Sequence, residues 1–312
     1  MEEIKKGVVF SNDINLILNG KNSLNYKYNE KGIIVPTDSF IRDLRDDFKK
    51  ISKRTYGDDV VIIDEYAMSY YMNMFLDKFK EKYPIVSMDD IYVTCDNKRV
   101  FSLDCTRMSG SKDMVPRSNP LDKDGVRKQI ETLAEIFKSQ NEKEIMLLDD
   151  VIFSGSVIEY ISKIFKENGI DVVGAIAAIS SIDGYTMFNG LKEKVNCGYL
   201  MEKDVLDEIC ERDFYYGIAQ SGMARLVDGK VYKAPYFLPF GDPVARASVP
   251  TDRKEYFSTM CVNLSLDLWE EIERLSKREI MNNELPERIL NTDYNEGVVK
   301  TLRKVLKWKK FK

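Results

Sequence analysis

An α/β fold with a mainly parallel sheet flanked by helices is what this 312-residue sequence predicts, from three observations. Residues 145–180 alternate as an apolar strand (Ile145–Leu148), a helix with Ile158, Ile161, Ile164 and Phe165 on one side, and a second apolar strand (Val172–Ile179). Such a β-loop-α-β unit implies parallel strands joined by a right-handed crossover. Upstream, the run Val60–Ile63 precedes a helical stretch from about Ala67 to Lys80, repeating the alternation. Finally, 44% of the residues are hydrophobic, enough for a sizeable core.

The remaining elements follow from spacing and punctuation. Residues 1–36 read as short strands and turns. Thr37 or Asp38 opens a helix whose apolar positions Phe40, Leu44, Phe48 and Ile51 share one face. Pro84 stops the helical stretch before it, and Ile91–Cys95 is predicted as a strand. Asp96-Asn97-Lys98 has turn chemistry, and Val100–Leu103 returns as a strand. Residues 104–122 read as a mobile polar loop. Asp124 to about Ser139 is an amphipathic helix with Val126, Ile130, Leu133 and Phe137 on one side. Beyond residue 180 the pattern loosens. Residues 217–250 read as long ordered loops, and a helix is expected from about Ser265. The predicted division is an N-terminal accessory segment at 1–55, an α/β core at 56–230 and a mostly helical C-terminal extension at 231–312.

Composition removes several chemistries. There is no histidine, so neither a Ser-His-Asp nor a Cys-His centre can form, and histidine-ligated zinc is excluded. A metal would be a hard cation on oxygen ligands, magnesium above all. The five cysteines lack Cys-x-x-Cys spacing and read as reduced thiols of a cytoplasmic protein. No signal peptide and no membrane span are expected. A net charge of −4 does not suit a general nucleic-acid binder. Lys300–Lys312, with seven basic residues and no acid, leaves nucleic acid open as a less favoured partner.

The chemistry concentrates in Ile145–Ser156. Four apolar residues drive a strand into the core, and Asp149 and Asp150 emerge at its C-terminal end, where open α/β sheets bind ligands. Val151, Ile152 and Phe153 lead into Ser154, Gly155 and Ser156 at the start of the next helix. Free N–H groups there attract a phosphate, and Gly155 lets the backbone come close. The acids suit ribose hydroxyls or magnesium. A ribose 5-phosphate fits this layout. The competing explanation is a solvated strand end followed by an ordinary helix cap.

The segment resembles the phosphoribosyl-pyrophosphate (PRPP) motif of type I phosphoribosyltransferases: an apolar strand, two acids, two apolar residues, a variable position, then a small-Gly-Ser/Thr loop. The resemblance implies that Asp149 and Asp150 act at the ribose and hold Mg2+, and that Val151–Ser156 bind the 5-phosphate. It also implies a basic flexible loop, placed at residues 104–118, whose Arg107 and Lys112 would serve catalysis, with Arg117 a further cation. Phe153 stands at the variable position, where some purine enzymes carry Asp, and argues against hypoxanthine–guanine chemistry. The family's pyrophosphate loop is expected at Asp64–Ser69, which is acidic here and has no Lys or Arg.

The implied function is transfer of a phosphoribosyl group from PRPP to a nucleobase-like acceptor, in nucleotide metabolism. A non-catalytic sensor of PRPP or a nucleotide is the alternative. A homo-oligomer is compatible with either.

Overall fold

The computed structural model describes residues 1–20, 26–93, 98–107 and 114–309, without the side chains of residues 107, 308 and 309. In chain order the strands are β1 (Glu2–Ser11), β2 (Val60–Ile63), β3 (Ile85–Ser87), β4 (Val100–Ser102), β5 (Thr106–Arg107), β6 (Met114–Val115), β7 (Glu144–Ile152), β8 (Asp171–Ser181), β9 (Lys194–Cys210), β10 (Met223–Val227) and β11 (Lys230–Ala234). The helices are α1 (Ile14–Asn19), α2 (Tyr26–Asn29), α3 (Asp38–Tyr56), α4 (Glu65–Phe79), α5 (Gly125–Ser139), α6 (Ser156–Glu167), α7 (Ile182–Met187), α8 (Pro243–Ala247), α9 (Lys254–Ser276) and α10 (Val298–Lys309). Seven strands form one sheet in the order β2-β1-β9-β8-β7-β3-β4. The pairs β1–β2, β3–β4, β3–β7, β7–β8 and β8–β9 are parallel, so the α/β class stands.

Two compact units divide the chain: Met1–Lys6 with Asp64–Val205, and Gly7–Ile63 with Leu206–Lys312. Each is assembled from two stretches of the chain.

In the first unit β7 lies between β8 and β3. Ile145 and Leu147 join the apolar cluster formed with Val126, Ile130 and Phe137 of α5 and Ile158, Ile161 and Phe165 of α6. Strand residues alternate faces, so Met146 and Leu148 point to the opposite side, where α4 packs on β7 and β8. All four of Ile145–Leu148 are fully buried. At roughly 1.5–3 kcal/mol per large buried apolar side chain, this strand anchors whatever its end carries.

The second unit is built round aromatic side chains. Phe10, Phe48, Phe214 and Phe257 interlock at centroid distances of 5.2–5.6 Å. Trp269 of α9 donates its indole N–H to the Tyr216 carbonyl at 2.6 Å. The β10–β11 hairpin turns through Asp228 and Gly229, both at positive φ (48° and 71°), as a two-residue turn requires.

Several expectations are corrected. The strand expected at Ile91–Cys95 forms earlier, as β3, because Pro84 and the apolar pair Ile85-Val86 enter the sheet first. Ile91–Val93 are instead turned back by hydrogen bonds to Asp89, and Thr94–Asn97 lie outside the described residues. Residues 1–36 hold the ten-residue strand β1 and two short helices rather than short strands alone. The stretch after 180 hides the seventeen-residue strand β9, whose mixed charged and apolar residues give no clean alternation. Residues 217–250 contain β10, β11 and α8, and the helix expected from Ser265 begins at Lys254. Part of the 104–122 loop is the short β5–β6 ribbon.

Among the described residues, no helix is long and apolar enough to cross a membrane. Cys105, Cys197, Cys210 and Cys261 are not in disulfides, and Cys95 lies outside the described residues.

Candidate functional site

At the C-terminal end of β7 the chain leaves the core with Asp149 and Asp150 half-buried. Asp149 Oδ1 accepts from the Asp150 N–H at 3.1 Å, and Asp150 Oδ1 accepts from the Val151 N–H at 2.8 Å. The loop then turns at Gly155, which has φ +70° and stands at the N-cap position of α6. No side chain caps α6 there. The Ser156 N–H donates to the Ser154 hydroxyl at 3.4 Å, and the helix dipole places partial positive charge at this end. Ser154 and Ser156 bring their hydroxyls 2.9 Å apart over this end of the helix. Ser181 donates its hydroxyl to the Phe153 carbonyl and accepts from the Gly184 N–H at 3.0 Å, tying the loop to the β8–α7 connection.

Asp149, Val151, Ile152, Phe153, Ser154, Gly155 and Ser156 line one cleft of about 280 Å³, with Val157 and Ile158. That volume is at the small end of ligand sites, which run from roughly 300 Å³ upward. Within it Phe153 is 45% exposed, whereas the Ile152 side chain is turned into the core.

A second pair of acids, missed in the sequence, stands beside the first. β3 and β7 run in register, Ser87 opposite Leu148, and the Met88 N–H donates to the Leu148 carbonyl at 2.8 Å. Asp89 and Asp90 therefore follow β3 much as Asp149 and Asp150 follow β7. Asp89 is buried, and its carboxylate accepts from the N–H groups of Ile91, Tyr92 and Val93. Burial pushes its pKa up to about 7, helped by the charge of Asp150 and opposed by those three N–H groups. Asp149 is also held well above the usual carboxylate range by burial, then by Asp150, with Arg117 pulling it down and Asp89 pushing it up. The signal was available: Ile85-Val86-Ser87-Met88-Asp89-Asp90 parallels Ile145-Met146-Leu147-Leu148-Asp149-Asp150. Ser87 broke the apolar run and obscured it.

Arg117 answers this negative charge. Its guanidinium lies 3.4 Å from Asp90 and donates to the Met88 carbonyl at 2.6 Å. Asp104 holds the segment in place, accepting from the N–H groups of Arg117 (2.8 Å) and Ser118 (3.0 Å). Gln129 of α5 accepts from the Asp104 N–H at 3.0 Å. Of the loop cations considered, Arg117 is thus brought to the acids. Arg107 places its backbone on β5 with its side chain undescribed, and Lys112 lies outside the described residues.

The Asp64–Ser69 segment follows β2, which is not a neighbour of β7. Asp64 caps α4 by accepting from the Tyr66 and Ala67 N–H groups, both at 2.9 Å. Among the described residues, no group of three or more Cys, Asp or Glu side chains is gathered to hold a metal by itself. Magnesium commonly uses one or two carboxylates together with a ligand's phosphate oxygens, a donor set that Asp149 and Asp150 fit.

No family model matches the sequence, and no curated protein matches it. Among solved structures the chain is similar to the orotate phosphoribosyltransferase of Aeropyrum pernix, with 11% identity and a TM-score of 0.28, over 44% of this chain and 73% of that one.

Proposed function

We propose that the chain binds the ribose 5-phosphate moiety of PRPP or a nucleotide, and acts as a phosphoribosyltransferase-like protein on a nucleobase-like acceptor. One observation carries the reading: the N-terminus of α6, with Gly155 and two adjoining hydroxyls, lines the same cleft as Asp149 at the end of β7. The loop Ser154–Ser156 takes the phosphate on its N–H groups and hydroxyls. Asp149 and Asp150 take the ribose hydroxyls and favour the positive charge that grows on the sugar as the bond at C1 breaks. Mg2+, held by Asp149 and Asp150 with phosphate oxygens of the ligand, would neutralise the departing pyrophosphate. Arg107 and Lys112 would add positive charge from the loop that follows β4.

A second reading, a sensor that binds without turnover, is favoured by Asp89 and Asp90, which put further negative charge beside the site. The two separate in one experiment. The protein is incubated with PRPP, magnesium and a panel of nucleobases, and pyrophosphate release is measured beside calorimetric PRPP binding. Turnover with one acceptor supports the transferase. Binding without turnover across the panel supports the sensor, and no binding defeats both.

A further inference from the structure

Asp89 is 3% exposed, and three successive backbone N–H groups converge on it. Ile91, Tyr92 and Val93 donate to its carboxylate at 3.1, 3.0 and 2.9 Å. Converging N–H groups of this kind make a concavity suited to an anion. Here the anion is the chain's own.

The sheet order gives this a direction. The phosphate loop is tied to the β8 side of β7 through Ser181, whereas Asp89 follows β3 on the other side. Asp89 and Asp90 follow the strand next to β7, and Asp89 is near enough to Asp149 and Asp150 for their charges to act on one another; a ligand held by the β7 acids therefore has Asp89 beside it on the β3 side. Arg117, the cation described there, is engaged with Asp90 and the Met88 carbonyl.

We infer that Asp89 is a specificity-determining residue: its own carboxyl group fills the backbone concavity and steers the pocket to ribose 5-phosphates and nucleoside 5′-monophosphates over ligands with a second anionic group at C1, such as PRPP, which agrees with the reading of binding without turnover. The inference rests on Ser154–Ser156 being the phosphate loop. A pyrophosphate on that side must displace the Asp89 carboxyl group from three N–H groups or crowd against it, and anionic groups crowded together in a poorly solvated site repel. A neutral or cationic group does neither.

Calorimetric titration with ribose 5-phosphate and with PRPP, at constant magnesium, tests this on the wild type, Asp89→Asn and Asp89→Ala. The wild type is expected to bind ribose 5-phosphate about tenfold more tightly than PRPP, and Asp89→Asn, which keeps an acceptor for the N–H groups, to close most of that gap. Asp89→Ala should do the same by vacating the concavity. PRPP binding as tightly as ribose 5-phosphate in the wild type overturns the inference whether or not the variants fold. So does an unchanged ratio in a folded variant, and in both cases the phosphate loop stands. Ribose 5-phosphate binding that is absent, or indifferent to a Ser154→Ala/Ser156→Ala double change, overturns the loop reading and the inference with it.

Discussion

The hydroxyls of Ser154 and Ser156 lie 2.9 Å apart, paired across Gly155 at the open end of α6. Under the proposed function, these two hydroxyls and the helix N-terminus take one phosphate between them. Losing either hydroxyl should weaken ribose 5-phosphate binding by about fivefold to tenfold, roughly 1–1.4 kcal/mol, since a hydrogen bond to a charged group is worth somewhat more than a neutral one. Calorimetry on Ser154→Ala and Ser156→Ala checks this, with unchanged affinity in both counting against the loop.

Gly155 sets the shape that brings those hydroxyls together. Its φ of +70° penalises any side chain, and a Cβ there would lie 2.4 Å from the Met187 sulfur. Met187 is 40% exposed and can swing aside, so backbone strain rather than the clash decides the cost. Gly155→Ala should therefore destabilise by about 1–2 kcal/mol in urea unfolding, and adding Met187→Ala should restore little of it.

Arg117 balances three acids, Asp90, Asp149 and Asp150. Its removal takes the Arg117 ion pair from Asp90, the Arg117 hydrogen bond from the Met88 carbonyl, and the opposing charge from the raised pKa of Asp149. Arg117→Ala should cost roughly 1–3 kcal/mol, discounted because Asp90 is partly solvated, and Arg117→Lys should recover part of it. Urea unfolding measured on both variants decides; equal stability of Arg117→Ala and wild type would show that the charges are already screened.

In the second unit Asp213 has its pKa pushed up to about 6 by burial, against Arg212 and the Gly222 N–H at 2.7 Å. A carboxyl raised in the folded state holds its proton longer there than in the unfolded chain. The stability it contributes is present below pH about 4 and is lost as pH rises through about 6. Asp213→Asn should match the wild type near pH 4 and gain on it by roughly 1–3 kcal/mol at pH 7. Tm differences across that range read the sign directly, and a difference that shrinks with pH would refute it.

Much of the first unit was legible because its strands are buried on both faces and its helices are strongly one-sided. Ile145–Leu148 and the face of α6 left little choice, and the acids and small residues between them mark the candidate site. The parts that were not legible share a physical cause. β3 is three residues long with a serine in it, and β9 carries charges along its length, so neither has the apolar signature of a buried strand. The pairing of Asp89 with the β7 acids depends on strand neighbours far apart in sequence, which local patterns cannot encode. The Asp228-Gly229 hairpin carries a turn signal, yet it lies within residues 217–250, which the sequence reading gives as loops.

The central claim is that Asp149 through Ser156 form a ribose-phosphate pocket. The most direct measurement is a titration of ¹⁵N-labelled protein with ribose 5-phosphate, following the backbone amides. Saturable shifts concentrated at Ser154–Ile158 and Asp149–Val151, abolished in the Ser154→Ala/Ser156→Ala double variant, are the expected result. Saturable shifts elsewhere with these amides unmoved, or no shifts at all, would contradict it.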